Sequence, residues 1–186
     1  MRDYPPKDTL RANVTVMIRP MAIKDSYLPM RAITMEDRRG LYCHMKTLNV
    51  LPAVLASAEA AAAGVDEGIL VRDGQVTECI HANLSILRPD GVLQTAPADR
   101  KILAGVARGH LLRRAKEFGI PVLEEPFSPK ELMAAAEIIV TSSGTLCRPI
   151  REIDGVPVGG KAPETLKRLQ DALTEDFLRA CNAKEE

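Results

Sequence analysis

Apolar and polar residues alternate in short runs separated by turn signals, and three longer stretches repeat at helical spacing. Val14, Val16 and Ile18 alternate with Thr15 and Met17, which predicts a strand with its apolar face on the even positions, ended by Pro20. Met30 to Met35 reads as a second strand, with a loop from Lys24 to Pro29 and a charged crossing, Glu36-Asp37-Arg38-Arg39-Gly40, after it. Leu51, Val54, Leu55, Ala58 and Ala62 recur as one helical face, with Asn49 as the expected N-cap, Pro52 in the first turn and Gly64 as the stop. Asp73-Gly74, between Ile69–Arg72 and Gln75–Glu78, is a strong hairpin signal. Pro89-Asp90-Gly91 joins Asn83–Leu87 to Val92–Thr95 in the same manner, and two hairpins in succession predict an antiparallel sheet whose first hairpin carries Glu78.

Farther on, Leu111, Leu112, Ala115 and Phe118 form the buried face of a helix that ends before Gly119 and Pro121. Ile120–Leu123 is a short strand. Ser128-Pro129-Lys130-Glu131 opens a helix with Ser at the N-cap, Pro at N1 and Glu at N3. Glu137–Thr141 is a buried strand, a third Asp-Gly turn (Asp154-Gly155) follows, and Leu166, Leu169, Leu173 and Phe177 align on a final helix from Ala162 to about Cys181. An irregular start over residues 1–12 and a frayed tail after Asn182 are expected.

Composition narrows the classes. The 186 residues are 46% hydrophobic and 27% charged, which is ordinary for a globular chain with a real core. The core must be aliphatic, because Trp is absent and aromatics make up 3%. With 25 basic and 25 acidic residues and no basic stripe, nothing points to nucleic acid or an anionic membrane. No apolar run spans a bilayer, and Met1–Pro6 has no signal-peptide core. Cys43, Cys79, Cys147 and Cys181 lack paired spacing, so reduced thiols in the cytoplasm are expected.

The candidate chemistry centres on Lys46, in Tyr42-Cys43-His44-Met45-Lys46-Thr47-Leu48-Asn49, and on Glu78 after the first hairpin. Either residue alone is ordinarily a solvated charge. A lysine that forms imines must be neutral part of the time, a shift of roughly three pKa units or ~4 kcal/mol. Apolar neighbours such as Met45, Leu48, Val50 and Leu51 either desolvate the amine or leave it snorkelling at the surface. Two segments suit an anion: Gly105-Val106-Ala107-Arg108 at a helix start, and the hydroxyl-rich Thr141-Ser142-Ser143-Gly144-Thr145 at a strand end. Other classes fit less well. There is no Gly-x-Ser-x-Gly elbow for a serine hydrolase and no Gly-rich nucleotide loop near the first strand. A thiol pair, Cys43 with His44 or Cys79 with His81, is not favoured by strand geometry.

The order Met45–Asn49, then Glu67–Glu78, then Asn83-Leu84, Ile102–Arg108, Gly119–Val122, Val140–Ser143 and Glu152–Gly155 resembles the class IV (fold-type IV) pyridoxal-phosphate enzymes over nearly all of residues 13–180. That family holds D-amino acid aminotransferases, branched-chain aminotransferases and aminodeoxychorismate lyases. The resemblance implies an α/β (α+β) fold: a large pseudo-barrel domain with helices around it over 39–186, preceded by a remnant of a small α/β domain over 1–38. It implies pyridoxal 5′-phosphate as cofactor, an amino acid and a 2-oxo acid as partners, and a homodimer. Lys46 is then the Schiff-base lysine and proton shuttle, and Glu78 the partner of the pyridine nitrogen. The N–H groups of Val106 and Ala107, with Ser142 and Ser143, hold the phosphate, while Arg39 and Asn83 support the cofactor.

Some positions depart from the family pattern. Ala107 stands where Thr is common. Thr47-Leu48-Asn49 and Leu51 lean to the D-amino acid and lyase branches, Glu78-Cys79 and Ala82-Asn83-Leu84 to the lyases, and Thr141-Ser142-Ser143 to the aminotransferases. The front piece is shorter than in the family, so a truncated product, a fragment and an enzyme completed by another subunit all stay open. The functional readings are a D-amino acid type aminotransferase, with lyase and branched-chain alternatives, and a non-catalytic binding or dimerisation module.

Overall fold

The sheet is built around β1 (Met30–Glu36), a strand flanked on both sides by parallel partners. The computed structural model describes residues 14–20 and 25–182. The other strands are β2 (Glu67–Arg72), β3 (Gln75–Cys79), β4 (Asn83–Leu87), β5 (Leu93–Thr95), β6 (Val122–Glu124), β7 (Glu137–Thr141), β8 (Arg148–Ile153) and β9 (Val156–Pro157). They run in the order β3-β2-β1-β8-β7-β4-β5-β6, with β9 paired to β8. Residues 30–36, expected to close a preceding unit ending at 38, are therefore interior to the large sheet, and Met30 and Ala32 belong to its main core.

All three turn signals make hairpins. Asp73 and Gly74 have φ of 53° and 74°, and Asp154 and Gly155 have 52° and 76°, the left-handed pair that two-residue hairpins require. The predicted succession of antiparallel hairpins is not what forms, however. β4 pairs with β7, not with β3, so the two hairpins stand at opposite ends of the order. Strand β7 is buried at all five positions, and that buried strand and β8 bring β1 between the hairpins.

The strand predicted at 14–18 is also absent. Residues 14–20 are irregular, and Val14, Val16 and Ile18 are 82%, 79% and 89% exposed. Alternation predicts a strand only where a neighbouring strand is free to pair, and here both sides of β1 are already taken. The expectations for residues 1–12, for Lys24 and for the tail beyond 182 lie outside the described residues.

Each face of the sheet carries a core, as the two-residue period of a strand demands. Ile138 and Val140 point to one side with Leu84, Ile86, Ile150, Phe127 and Leu132, the last from the short helix α3 (Pro129–Ala134). Ile139 points to the other, where Leu111, Leu112, Leu166, Leu169 and Leu173 cover it. These come from helices α2 (Val106–Glu117) and α4 (Pro163–Asn182), while α3 (Pro129–Ala134) has the predicted Ser128/Glu131 capping box.

Helix α1 (Leu51–Ala62) packs the other way round from its pattern. The leucine side is out: Leu51, Val54 and Leu55 are 63%, 54% and 62% exposed. Ala53, Ala56 and Ala60 face Leu70 and Ile80 instead, since small side chains let the helix lie close on the sheet. Its N-cap is Val50, with no side-chain hydrogen bond, so Asn49 does not cap it.

Asp176 on α4 clamps α2. Arg114 Nε donates to its Oδ2 at 2.9 Å and Nη2 to its Oδ1, Arg113 adds 2.9 Å and Arg179 adds 2.6 Å. The hydrogen bonds from Arg114 hold the carboxyl below its usual range. A depressed folded pKa stabilises above the unfolded value and loses that contribution as pH falls through the folded one. Stability measured by denaturant titration should therefore drop below about pH 4, and Asp176→Asn should flatten that part of the profile.

Candidate active site

A cavity of about 480 Å³ opens where four chain segments converge. The crossing from β1 to α1 brings Arg39 and Lys46, the end of β3 and the start of β4 bring Glu78 and Asn83, the start of α2 brings Val106 and Ala107, and the turn after β7 brings Ser142 and Ser143. All eight residues singled out in the sequence line it.

Lys46 is exposed, in irregular chain between β1 and α1. Met45 and Leu48 are exposed as well, at 48% and 97%, so the neighbouring apolar side chains do not desolvate the amine. The segment is tied down by its backbone: Cys43 N–H donates to Arg100 O at 3.2 Å and Met45 N–H to Tyr42 O at 3.1 Å.

Glu78 is the fixed point of the site. It is 5% exposed, and its carboxylate accepts from Asn83 Nδ2 at 2.7 Å, from Leu103 N–H at 3.3 Å and from Arg39 Nη1. Burial pushes the carboxyl above its usual range, while Arg39 pulls in the opposite direction. The Leu103 N–H is shared between the two oxygens at 3.3 Å each, a long and divided contact whose one arm can yield to a better-placed N–H. Asn83 Nδ2 also donates to Leu103 O at 2.7 Å, which commits its amide to holding Glu78 against the 103 backbone.

Arg39 is equally committed. Its Nε and Nη2 donate to Asp37 at 2.8 Å each, and Nη2 reaches Lys101 O at 3.0 Å. Both carboxylates hold it firmly protonated. Asp37, read in the sequence only as part of a charged crossing, is buried. It also pairs with Arg72 at 3.0 Å and accepts from Thr77 Oγ1 at 3.0 Å, and Arg39 holds its carboxyl below the usual range against the effect of burial. Its spacing two residues before Arg39 was visible in the sequence, but a carboxylate there reads as exposed until Arg72 and Thr77 are brought beside it.

The two segments expected from the sequence to suit an anion meet the same cavity. Gly105 caps α2 with extended backbone and no side-chain cap, and there is no acidic residue in the first turn, so the first N–H groups of the helix are free of side-chain competition. A Cβ at Gly105 would overlap Asn83 Oδ1, so glycine is what allows the helix start to approach the Glu78 cradle. Ser142 Oγ is engaged by its own turn, 2.8 Å from Thr145 Oγ1 and accepting from the N–H groups of Gly144 and Thr145. Thr141, opposite Asn83 in the ladder, is 1% exposed, and its hydroxyl has no partner among the described residues although it borders the cavity. A buried hydroxyl left unpaired costs about 1–3 kcal/mol, and the cavity beside it is where a ligand would satisfy it. Cys79 offers no activated thiol here: it is fully buried, which raises its pKa well above normal, and His81 is bonded to Ser57 instead.

A sequence model of the family described as amino-transferase class IV matches residues 4–153. The chain belongs to this family. Class IV aminotransferases work with pyridoxal 5′-phosphate. Among curated class IV relatives, a D-alanine aminotransferase from Listeria innocua is 42% identical over 155 residues, which cover 83% of this chain and 53% of that protein. Two solved structures share the fold. A branched-chain amino acid aminotransferase from Escherichia coli has a TM-score of 0.72 at 29% identity, covering 83% of this chain and 54% of that one. A fold IV transaminase from Curtobacterium pusillum has 0.71 at 26%, covering 81% and 56%. The architecture is thus that of fold-type IV, and the chain spans about half the length of the curated relatives it matches.

Proposed function

We propose that the chain binds pyridoxal 5′-phosphate in this cavity and transfers an amino group between a D-amino acid, such as D-alanine, and a 2-oxo acid. The observation that carries the proposal is the convergence of a lysine amine, a buried carboxylate, an uncapped helix start and a hydroxyl-rich turn on one space. Its volume is in the range of small-molecule sites, about 300–1,000 Å³. The divided Leu103 contact on Glu78, the unpaired Thr141 hydroxyl and the missing Cβ at Gly105 all fit a flat, phosphorylated heterocycle.

In this reading Lys46 Nζ is the covalent attachment point and carries the proton to and from the substrate Cα. Glu78 keeps a proton on the ring nitrogen, with Asn83 and the Leu103 N–H holding the carboxylate in place and Arg39 acting through it. The N–H groups of Val106 and Ala107 and the Ser143 hydroxyl receive the phosphate, with Ser142 shaping the turn. When bound, the cofactor supplies the electron sink for breaking the Cα–H bond. The site is proposed to work in a cytoplasmic homodimer. The exposed apolar run Leu41, Tyr42, Leu48, Leu51, Val54 and Leu55 beside the cavity supports a covered face.

The direct test is pyruvate formation from D-alanine with the loaded chain, with and without 2-oxoglutarate. Turnover that requires the oxo acid supports transamination. A second reading is favoured by Cys79 directly after Glu78: pyruvate release from aminodeoxychorismate without any acceptor would replace transamination with lyase chemistry. Gly105→Ala should weaken cofactor binding on the order of tenfold or more, the scale of one hydrogen bond to a charged group, because the new methyl displaces the Asn83 amide from Glu78. Fluorescence titration with the cofactor measures it, and unchanged affinity would separate Asn83 from the site.

A further inference from the structure

Among the described residues that line the cavity, four have basic or acidic side chains: Arg39, Lys46, Glu78 and His81. Arg39 is answered by Asp37 and Glu78. Lys46 is taken by the cofactor in the reading above. His81 is left, and nothing so far uses it. It stands in the turn from β3 to β4, two residues before Asn83, and α1 reaches over to it: Ser57 Oγ lies 2.9 Å from His81 Nε2. His81 Nδ1 has no hydrogen-bond partner among the described residues.

The contact admits either neutral tautomer, with the Ser57 hydroxyl donating to Nε2 or accepting from it. When the Ser57 hydroxyl donates into Nε2, the ring proton resides on Nδ1. When the ring is charged, Nε2–H donates back to Ser57 Oγ and Nδ1–H remains. In these two states the imidazole offers an N–H at Nδ1, and a carboxylate placed there selects them over the tautomer whose proton sits on Nε2. The substrates of the proposed reaction, amino acid and oxo acid alike, are carboxylates, and an imidazole N–H beside a lysine-bearing cavity matches them.

We propose that His81, oriented by Ser57, is the receptor in this cavity for a carboxylate of the substrate. The inference rests on the proposed function, and the two are separable by experiment. The full chain loaded with pyridoxal phosphate is titrated calorimetrically with glutarate, a dicarboxylate that cannot react. His81→Ala should weaken glutarate binding about tenfold, His81→Asn should restore much of it by returning an N–H near the Nδ1 position, and Ser57→Ala should fall between. In turnover the His81→Ala loss should fall mainly on KM. A KM increase for D-glutamate alone places the distal carboxylate on His81, and an increase for both D-glutamate and D-alanine places the α-carboxylate there. If wild type takes up no cofactor, the proposed function fails and this inference with it. If wild type loads and turns over D-alanine but glutarate affinity is the same in His81→Ala, the carboxylate role alone is overturned.

Discussion

Lys46→Ala should give a folded chain that never develops the visible absorption band of a lysine-bound pyridoxal cofactor, however much cofactor is added. The structural cost is small. Lys46 is exposed, in irregular chain, and has no ion-pair or hydrogen-bond partner among the described residues, and such surface substitutions stay within about ±0.5 kcal/mol. The chemical cost is large. In the proposed function the same amine is attachment point and proton carrier, and loss of the proton transfer alone removes on the order of 10²–10⁴-fold in rate. Lys130→Ala, on α3 and away from the cavity, is the matched control and should keep both band and turnover. A band of wild-type position and intensity in Lys46→Ala would remove this residue from the chemistry and send the search to another amine.

The second large effect is on stability. Asp37→Ala should cost roughly 3–5 kcal/mol, the scale on which a buried ion pair fails when one partner is deleted. The Asp37 side chain is fully buried, while Arg39 and Arg72, which meet on it, are only 15% and 17% exposed. Alanine leaves two largely buried guanidinium groups without their shared carboxylate, with Glu78 alone to answer Arg39. Since domains of this kind are stable by only about 5–15 kcal/mol, urea titration reads such a loss directly. The effect also spreads into the site. Once Arg39 loses its hold on Asp37, Glu78 loses a fixed neighbour, so cofactor affinity should fall in the same variant at temperatures where it remains folded. A stability change below about 1 kcal/mol would mean that the cluster is solvated well enough to act as a surface pair.

How far the sequence could be read differs from element to element. The Asp-Gly turns at 73–74 and 154–155 were legible because the left-handed backbone they need is a local property of two residues. The Ser128/Glu131 capping box was legible for the same reason, as were the buried β7 and the apolar face of α4. The face of α1 was not. Leu51, Val54 and Leu55 have the spacing of a core stripe, but spacing alone does not say whether the covering surface is the chain's own sheet or something else, and the sheet accepted the alanine side. Strand 14–18 failed in a similar way, since alternation does not reveal whether a partner strand lies alongside, and no strand pairing among the described residues includes residues 14–18.

For the site, the amino-acid order alone determined which residue types were available: one lysine before α1, one glutamate after the first hairpin, a glycine-led helix start and a hydroxyl turn. Only the tertiary structure decided that these four share one cavity, that Asp37 is buried and holds Arg39, that Asn83 serves Glu78, and that Ser57 holds His81. The reason is physical. Turns, caps and periodicity are set by interactions within a few residues, whereas the mixed order β3-β2-β1-β8-β7-β4-β5-β6 sets side by side residues such as Asn83 and Thr141, 58 positions apart in the chain, through pairings that no local segment specifies.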